Sequence, residues 1–269
     1  MRRLLPILAC LLTLMATGAP TAASPGGSDG PADRAGKKLR WHPKVKAAFR
    51  YAERRTGTIG FQVSARGKRW GVHESVTAQG ASTIKVMLLA AYLRQAGVRD
   101  SQLNRRERRL LGPMIRRSDS VAATTVRNEV GGAAIRKLAR RVKMRDFEYS
   151  ALWGASRTSA RDQARFMRNL RRYLPARHRR YALRLLRTIV PAQRWGIARV
   201  KPSGWRLHFK GGWGDLSGGY GGLDHQVALL TRGRHRIGVA IITQGNPTLG
   251  YGNQTLRGIA KRLLRGLDR

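Results

Sequence analysis

Ser82-Thr83-Ile84-Lys85, followed by Val86-Met87-Leu88-Leu89-Ala90-Ala91-Tyr92-Leu93, is the stretch on which the reading of this chain turns. From Val86 to Leu93 every residue is apolar or aromatic. A helix without a polar face is buried on all sides, so this segment is expected to run through the core with Ser82 and Lys85 at its head. Serine and lysine three apart lie on one helical face, within side-chain reach. The N-terminus of a helix offers free backbone N–H groups and a positive dipole end, which stabilise an alkoxide or an acyl-transfer oxyanion. A desolvated lysine has a lowered pKa and becomes a base for a serine that is otherwise unreactive. Taken alone, the same four residues also read as a serine N-cap with an ordinary lysine.

Working outward, Val45, Ala48, Phe49 and Ala52 recur at helical spacing, and Ile59, Phe61 and Val63 alternate as in a strand. Lys68 to Glu74 reads as the hairpin partner of that strand. The stretch from Ser82 to about Val190 is mostly helical, interrupted at Gly131-Gly132, Leu152-Trp153-Gly154 and Leu174-Pro175. Strands return at Trp205 to Lys210, Val227 to Leu230 and Ile237 to Ile242, the last two joined by a turn around Gly233. A last helix after Asn253 carries Leu256, Ile259, Ala260, Leu263 and Leu267 on one stripe. The expected fold class is α/β (α+β): an antiparallel sheet flanked by N- and C-terminal helices, with an inserted all-helical lobe and a cleft between the two.

Two further motifs carry polar groups toward such a cleft. Ser118-Asp119-Ser120 opens a helical segment, where Asp119 also suits a first turn. Lys210-Gly211-Gly212 ends the strand from Trp205, and glycine in a strand marks close approach by a ligand or another backbone. Gln193-Arg194-Trp195-Gly196, just before the late strands, is placed to rim the cleft and bind substrate, but Trp195 reads first as a packing residue. The histidines His42, His73, His178, His208, His225 and His235 form no H-E-x-x-H or comparable cluster, and no phosphate-binding G-x-x-x-x-G-K-S/T loop is present. No metal and no cofactor are expected.

Each motif is bland by itself, but their order and placement are not. Serine-x-x-lysine heads a buried helix, Ser118-Asp119-Ser120 follows 36 positions after Ser82, and Lys210-Gly211-Gly212 lies on a late strand. In this the chain resembles the class A β-lactamase family of serine hydrolases, over essentially its whole mature length. The resemblance implies the β-lactamase-like fold and a set of roles. Ser82 corresponds to the acylated nucleophile and Lys85 to its general base. Ser118 corresponds to the hydroxyl that relays a proton to the leaving nitrogen. Ser120 stands where the family usually has an asparagine that holds substrate and lysine. Lys210 corresponds to the residue that attracts the substrate carboxylate and tunes Ser118. Gly212 completes the Lys-x-Gly motif, and the backbone N–H groups of Ser82 and Trp213 correspond to the oxyanion hole. The implied partner is a small-molecule β-lactam or a peptidoglycan-like substrate bearing a carboxylate.

Two departures stand out within the resemblance. Gly211 replaces the threonine or serine hydroxyl of the family's Lys-Thr-Gly or Lys-Ser-Gly. Gly154, in Trp153-Gly154-Ala155-Ser156, stands where the family carries the glutamate that holds the deacylating water. Glu148 and Glu129 are the nearby glutamates, the latter expected on a helix surface. The expectation is therefore acylation by β-lactams or related amides and esters with slow release. A D-Ala-D-Ala peptidase, transpeptidase-like or esterase activity on cell-wall substrates, or a non-catalytic cationic cell-wall or penicillin-binding module, are the alternatives.

Composition places the chain in a compartment. Arg2 and Arg3, the apolar Leu4 to Met15 and the small residues Thr21-Ala22-Ala23 read as a signal peptide over 1–23, followed by a flexible leader over 24–40 and one serine hydrolase domain over 41–269. Cys10, the single cysteine, falls in the segment to be removed. The mature chain is then thiol-free, without disulfides and without a transmembrane segment, and is expected to be secreted or extracytoplasmic, in the cell wall or periplasm. Lys and Arg number 54 against 14 Asp and Glu, a formal net charge of +40. Such charge attracts polyanions. Export points to electrostatic association with an anionic cell wall and away from specific nucleic acid, and the dispersal of the basic residues along helix faces points to solvated surface.

Overall fold

The computed structural model describes residues 39–215 and 222–268, all within one compact unit, Lys37–Arg269. The expected signal segment with Cys10, and the leader as far as residue 38, lie outside the described residues. Leu39, expected in the leader, is buried. Arg66 donates to the carbonyls of both Leu39 and Trp41, so packing begins at the end of that segment.

Helix α1 (Val45–Ala52) precedes strands β1 (Thr58–Ala65), β2 (Lys68–Val72) and β3 (Thr77–Gln79). A 3-10 turn, Ala81–Ile84, leads into α2 (Lys85–Tyr92), and α3 (Ala96–Arg99), α4 (Arg105–Arg116) and α5 (Ser120–Val142) complete the helical lobe. After β4 (Arg157–Ser159) come α6 (Ala160–Tyr173) and α7 (Arg179–Arg187), then β5 (Arg206–Asp215), β6 (Gly222–Arg232), β7 (His235–Asn246) and α8 (Leu249–Leu263). The main sheet has the order β2-β1-β7-β6-β5 with every pair antiparallel. Both ends of the chain thus build one sheet around an inserted helical lobe, as the sequence pattern predicts.

Side chains alternate across a strand, and this assigns the two faces. Gly238 of β7 and, through its register partner Leu229, His225 of β6 face α6, whose Ala164 and Arg168 backbone approaches Gly238. Asp224 and Gln226, of opposite parity, face α8 and the turn at Gly196. Helix α1 packs on α8.

Three local differences from the sequence pattern have physical causes. The apolar run after Lys85 is buried on all sides, but its first turn is 3-10, so Ser82 precedes the α-helix. Strand β6 begins at Gly222, ahead of its apolar run, because buried Asp224, His225 and Gln226 interrupt the alternation by which a strand is recognised. β3 and β4 pair as a separate ribbon too short to show any period. The interruption at Gly131 is a true kink, a left-handed residue inside α5.

Candidate active site

The turn that holds Ser82 is fixed from three sides. The Gly80 N–H donates to Ser156 O (2.8 Å), and the Thr83 hydroxyl and N–H both return to Gly80 O (2.5 and 3.1 Å). Behind it, the Thr243 N–H donates to His225 Nδ1 (3.0 Å), so Nε2 carries the proton and donates to Gln79 O (2.8 Å). Burial lowers His225 from its ordinary 6.5 to about 4, and the neutral ring is a fixed strut between β6 and the turn that holds Ser82. Ala81 and Ser118 both have left-handed backbones, at φ 44° and 61°. Strain of this kind in non-glycine residues gathers at functional sites. The turn has no side-chain cap and its cap position is Gly80, so the Ser82 hydroxyl is not spent on capping.

That hydroxyl instead accepts a hydrogen bond of 2.8 Å from Ser118 Oγ. Ser118 is the hub of the site. Its Oγ accepts from Lys210 Nζ (3.0 Å) and Lys85 Nζ (3.3 Å), and its carbonyl accepts from Lys85 Nζ (2.5 Å). Lys85 also reaches Ser120 Oγ at 3.5 Å and lies 4.7 Å from the centre of the Trp153 ring. Lys210 gives its second hydrogen bond to Gly211 O (2.8 Å), and the Trp213 ring stands 5.6 Å away. The sequence placed Lys85 directly beside Ser82; the hydrogen bond that reaches the Ser82 hydroxyl comes from Ser118, and Lys85 stands one link behind it. Asp119 caps α5, its carboxylate accepting from the Ala122 N–H (2.8 Å).

Both lysines are fully buried and neither makes an ion pair among the described residues. An unpaired buried ammonium costs several kcal/mol, and the group responds by losing its proton more easily. Burial lowers Lys85 from 10.5 to about 8, against the opposing pull of the Asp119 carboxylate. Lys210 falls well below the ordinary lysine value, first through burial and then through the neighbouring Lys85.

Strand β5 is pressed onto this turn at Gly212. A Cβ there would lie 2.9 Å from the backbone nitrogens of both Ser82 and Thr83, so only glycine admits this approach of β5 to the Ser82 turn. Trp153-Gly154-Ala155 forms a 3-10 turn over Ala81, and a Cβ on Gly154 would meet only Ala81 Cα, at 3.9 Å. The two nearby glutamates are elsewhere. The Glu148 side chain is 72% exposed, 4.0 Å from Arg157, and Glu129 pairs with Arg106 at 2.5 Å on the helical surface. His208 and His225 do lie on neighbouring strands, but each is buried with a backbone carbonyl as partner. Among the described residues no group of three or more His, Cys, Asp or Glu side chains could hold a metal, and no helix is long and apolar enough to cross a membrane.

Sequence reasoning did not find Asp224 or the bracing role of His225. The available signal was a carboxylate and an imidazole in the strand that leads into Val227–Leu230. Trp195 is half-buried and packs edge-to-face on Trp213 at 4.9 Å.

A family model described as the beta-lactamase enzyme family matches residues 104–267, more than half of the chain, a span that includes Ser118 and Lys210 and begins after Ser82 and Lys85. Among solved structures, a β-lactamase from Sphaerobacter thermophilus DSM 20745 superposes with a TM-score of 0.69 at 22% identity, covering 82% of this chain and 96% of that one. A class A β-lactamase from Mycobacterium abscessus gives 0.68 at 19%, covering 84% and 100%. The structure of PBP-A gives 0.66 at 16%, covering 83% and 96%. No curated protein matches the sequence. By family match and by fold together, the chain belongs to the β-lactamase enzyme family, a serine hydrolase on the class A framework.

Proposed function

We propose that Ser82 is acylated by β-lactams or related amides and esters, and that the acyl-enzyme is released slowly. The observation that carries this reading is the unbroken chain from Lys85 Nζ through Ser118 Oγ to Ser82 Oγ. With its pKa near 8, Lys85 is partly neutral at pH 7 and accepts a proton. With Lys85 neutral, the two hydroxyl hydrogens rotate so that Ser82 donates to Ser118 and Ser118 to Lys85 Nζ, and Ser82 Oγ attacks the carbonyl carbon while its proton passes along that chain to Lys85. The oxyanion is received by the backbone N–H groups of Ser82 and Trp213. Ser118 then returns the proton to the departing nitrogen or oxygen as the scissile bond breaks, leaving an ester on Ser82.

Release requires a water and a base on the other face of that ester. Gly154 supplies no side chain there, and Glu148 and Glu129 are engaged at the surface. General-base assistance is worth about 10²–10⁴-fold, so its loss favours a long-lived acyl-enzyme, or one resolved by an incoming amine as in a peptidase or transpeptidase-like reaction. The basic composition and the expected export segment support action at an anionic cell wall.

Intact-protein mass spectrometry with a penicillin, followed over time, tests the reading. A persistent adduct on wild type and none on Ser82→Ala is expected. An adduct that forms and clears as the antibiotic is consumed refutes slow release. Undiminished adduct formation on Ser82→Ala refutes the nucleophile.

A further inference from the structure

Recognition of a carboxylate requires a donor that keeps both its charge and a free N–H direction toward the ligand. Both lysines beside Ser82 are fully buried and direct N–H groups at the protein itself: Lys210 donates to Ser118 Oγ and Gly211 O, and Lys85 to Ser118 and Ser120. Beside Lys210 the wall of the cleft is aromatic. At Gly211 a Cβ would lie 3.2 Å from Trp195 Cζ2, so the indole occupies the room that a hydroxyl-bearing side chain would need. Trp195 Nε1 turns away from the cleft toward Asp224 Oδ1, at 3.4 Å. Asp224 is 1% exposed, and its Oδ2 has no hydrogen-bond partner among the described residues. Protonated, this carboxyl is a neutral backing to the indole; ionised, it repels a second anion. Burial raises it from 3.8 to about 8, which favours the neutral form at pH 7.

We propose that Gly211, Trp195 and Trp213 form a subsite for an uncharged, apolar or flat group next to the scissile bond, so that this enzyme prefers neutral esters and amides over donors bearing a carboxylate there. Trp195 is the residue that sets the preference. The inference rests on Ser82 as nucleophile and names the substrate class for that site. The group transfer is unchanged: Ser82 Oγ gains the acyl group, and the neutral leaving alcohol or amine takes the proton from Ser118.

The test compares benzylpenicillin with its methyl ester, and 3-carboxyphenyl acetate with phenyl acetate, by rate of acylation of the full-length mature protein. The neutral member of each pair is expected to acylate about tenfold faster, the low end of what one apolar subsite discriminates. Trp195→Phe, which keeps a ring, should retain most of the ratio, and Trp195→Ala should bring it toward one with the melting temperature checked alongside. A faster acid in both pairs, on a protein whose adduct still vanishes with Ser82→Ala, overturns the subsite and leaves the nucleophile standing. No adduct from any of the four reagents removes the Ser82 reading and this inference with it.

Discussion

The two walls that meet over Ser82 differ in kind. On one side, Ser118, Lys85, Ser120 and Lys210 form a fully connected polar network whose ammonium groups are sealed from solvent. On the other, the Trp153–Ala155 turn presents glycine and an indole, and the glutamates nearest in sequence face away. In the proposed reaction the first wall supplies the acylating groups, and the second supplies no base for hydrolysis among the described residues. The two proposed half-reactions are separable because they draw on groups held by separate elements: the segments around α2, α5 and β5 for acylation, and a single short turn for release.

The sharpest way to break this comparison is to move the first wall. Gly212→Ala forces its Cβ against the Ser82 and Thr83 nitrogens, and misplacing a nucleophile by up to an ångström costs on the order of 10²-fold. Acylation by penicillin, read as the rate of adduct formation, should fall by about that factor. A variant with unimpaired acylation would show that β5 does not set the geometry of the turn. The second wall can be built up instead. Gly154→Glu has room at Cβ and should speed adduct loss by about 30-fold, below the full range for an evolved base. Unchanged adduct lifetime would locate the block to hydrolysis elsewhere. The smallest effect tests the base itself. Because Lys85 must be neutral to accept a proton and its pKa is near 8, acylation should rise about tenfold from pH 7 to pH 9 and then level off. A flat profile would mean that Lys85 does not carry the proton. The sign is opposite for any step in which a charged Lys85 is the active form.

Much of this was legible along the chain. The continuous apolar run Val86–Leu93 announced a buried helix, and Ser82, Lys85, Ser118 and Lys210 stood at its head and at the starts or ends of elements, where polar groups have no reason to gather by chance. Asp224 and His225 were hidden for a definable reason. A strand is recognised by alternating apolar side chains, and buried polar residues erase that pattern at the positions that matter to the site. Gly211 was legible as a missing hydroxyl, but the indole that fills its space comes from Trp195, on a different element.

The sequence by itself determined the order of elements, the helix driven into the core and the identity of the residues with reactive side chains, because hydrophobic period and residue chemistry are local properties. Only the tertiary structure decided that Lys85 reaches Ser82 through Ser118, that His225 braces the turn holding Ser82, and that Lys210 is buried beside Trp213. Those facts depend on which distant segments meet and on how much water their meeting excludes. Burial shifts a proton equilibrium, and closure uses up hydrogen-bond directions, only once α2, α5, β5 and β6 are packed together.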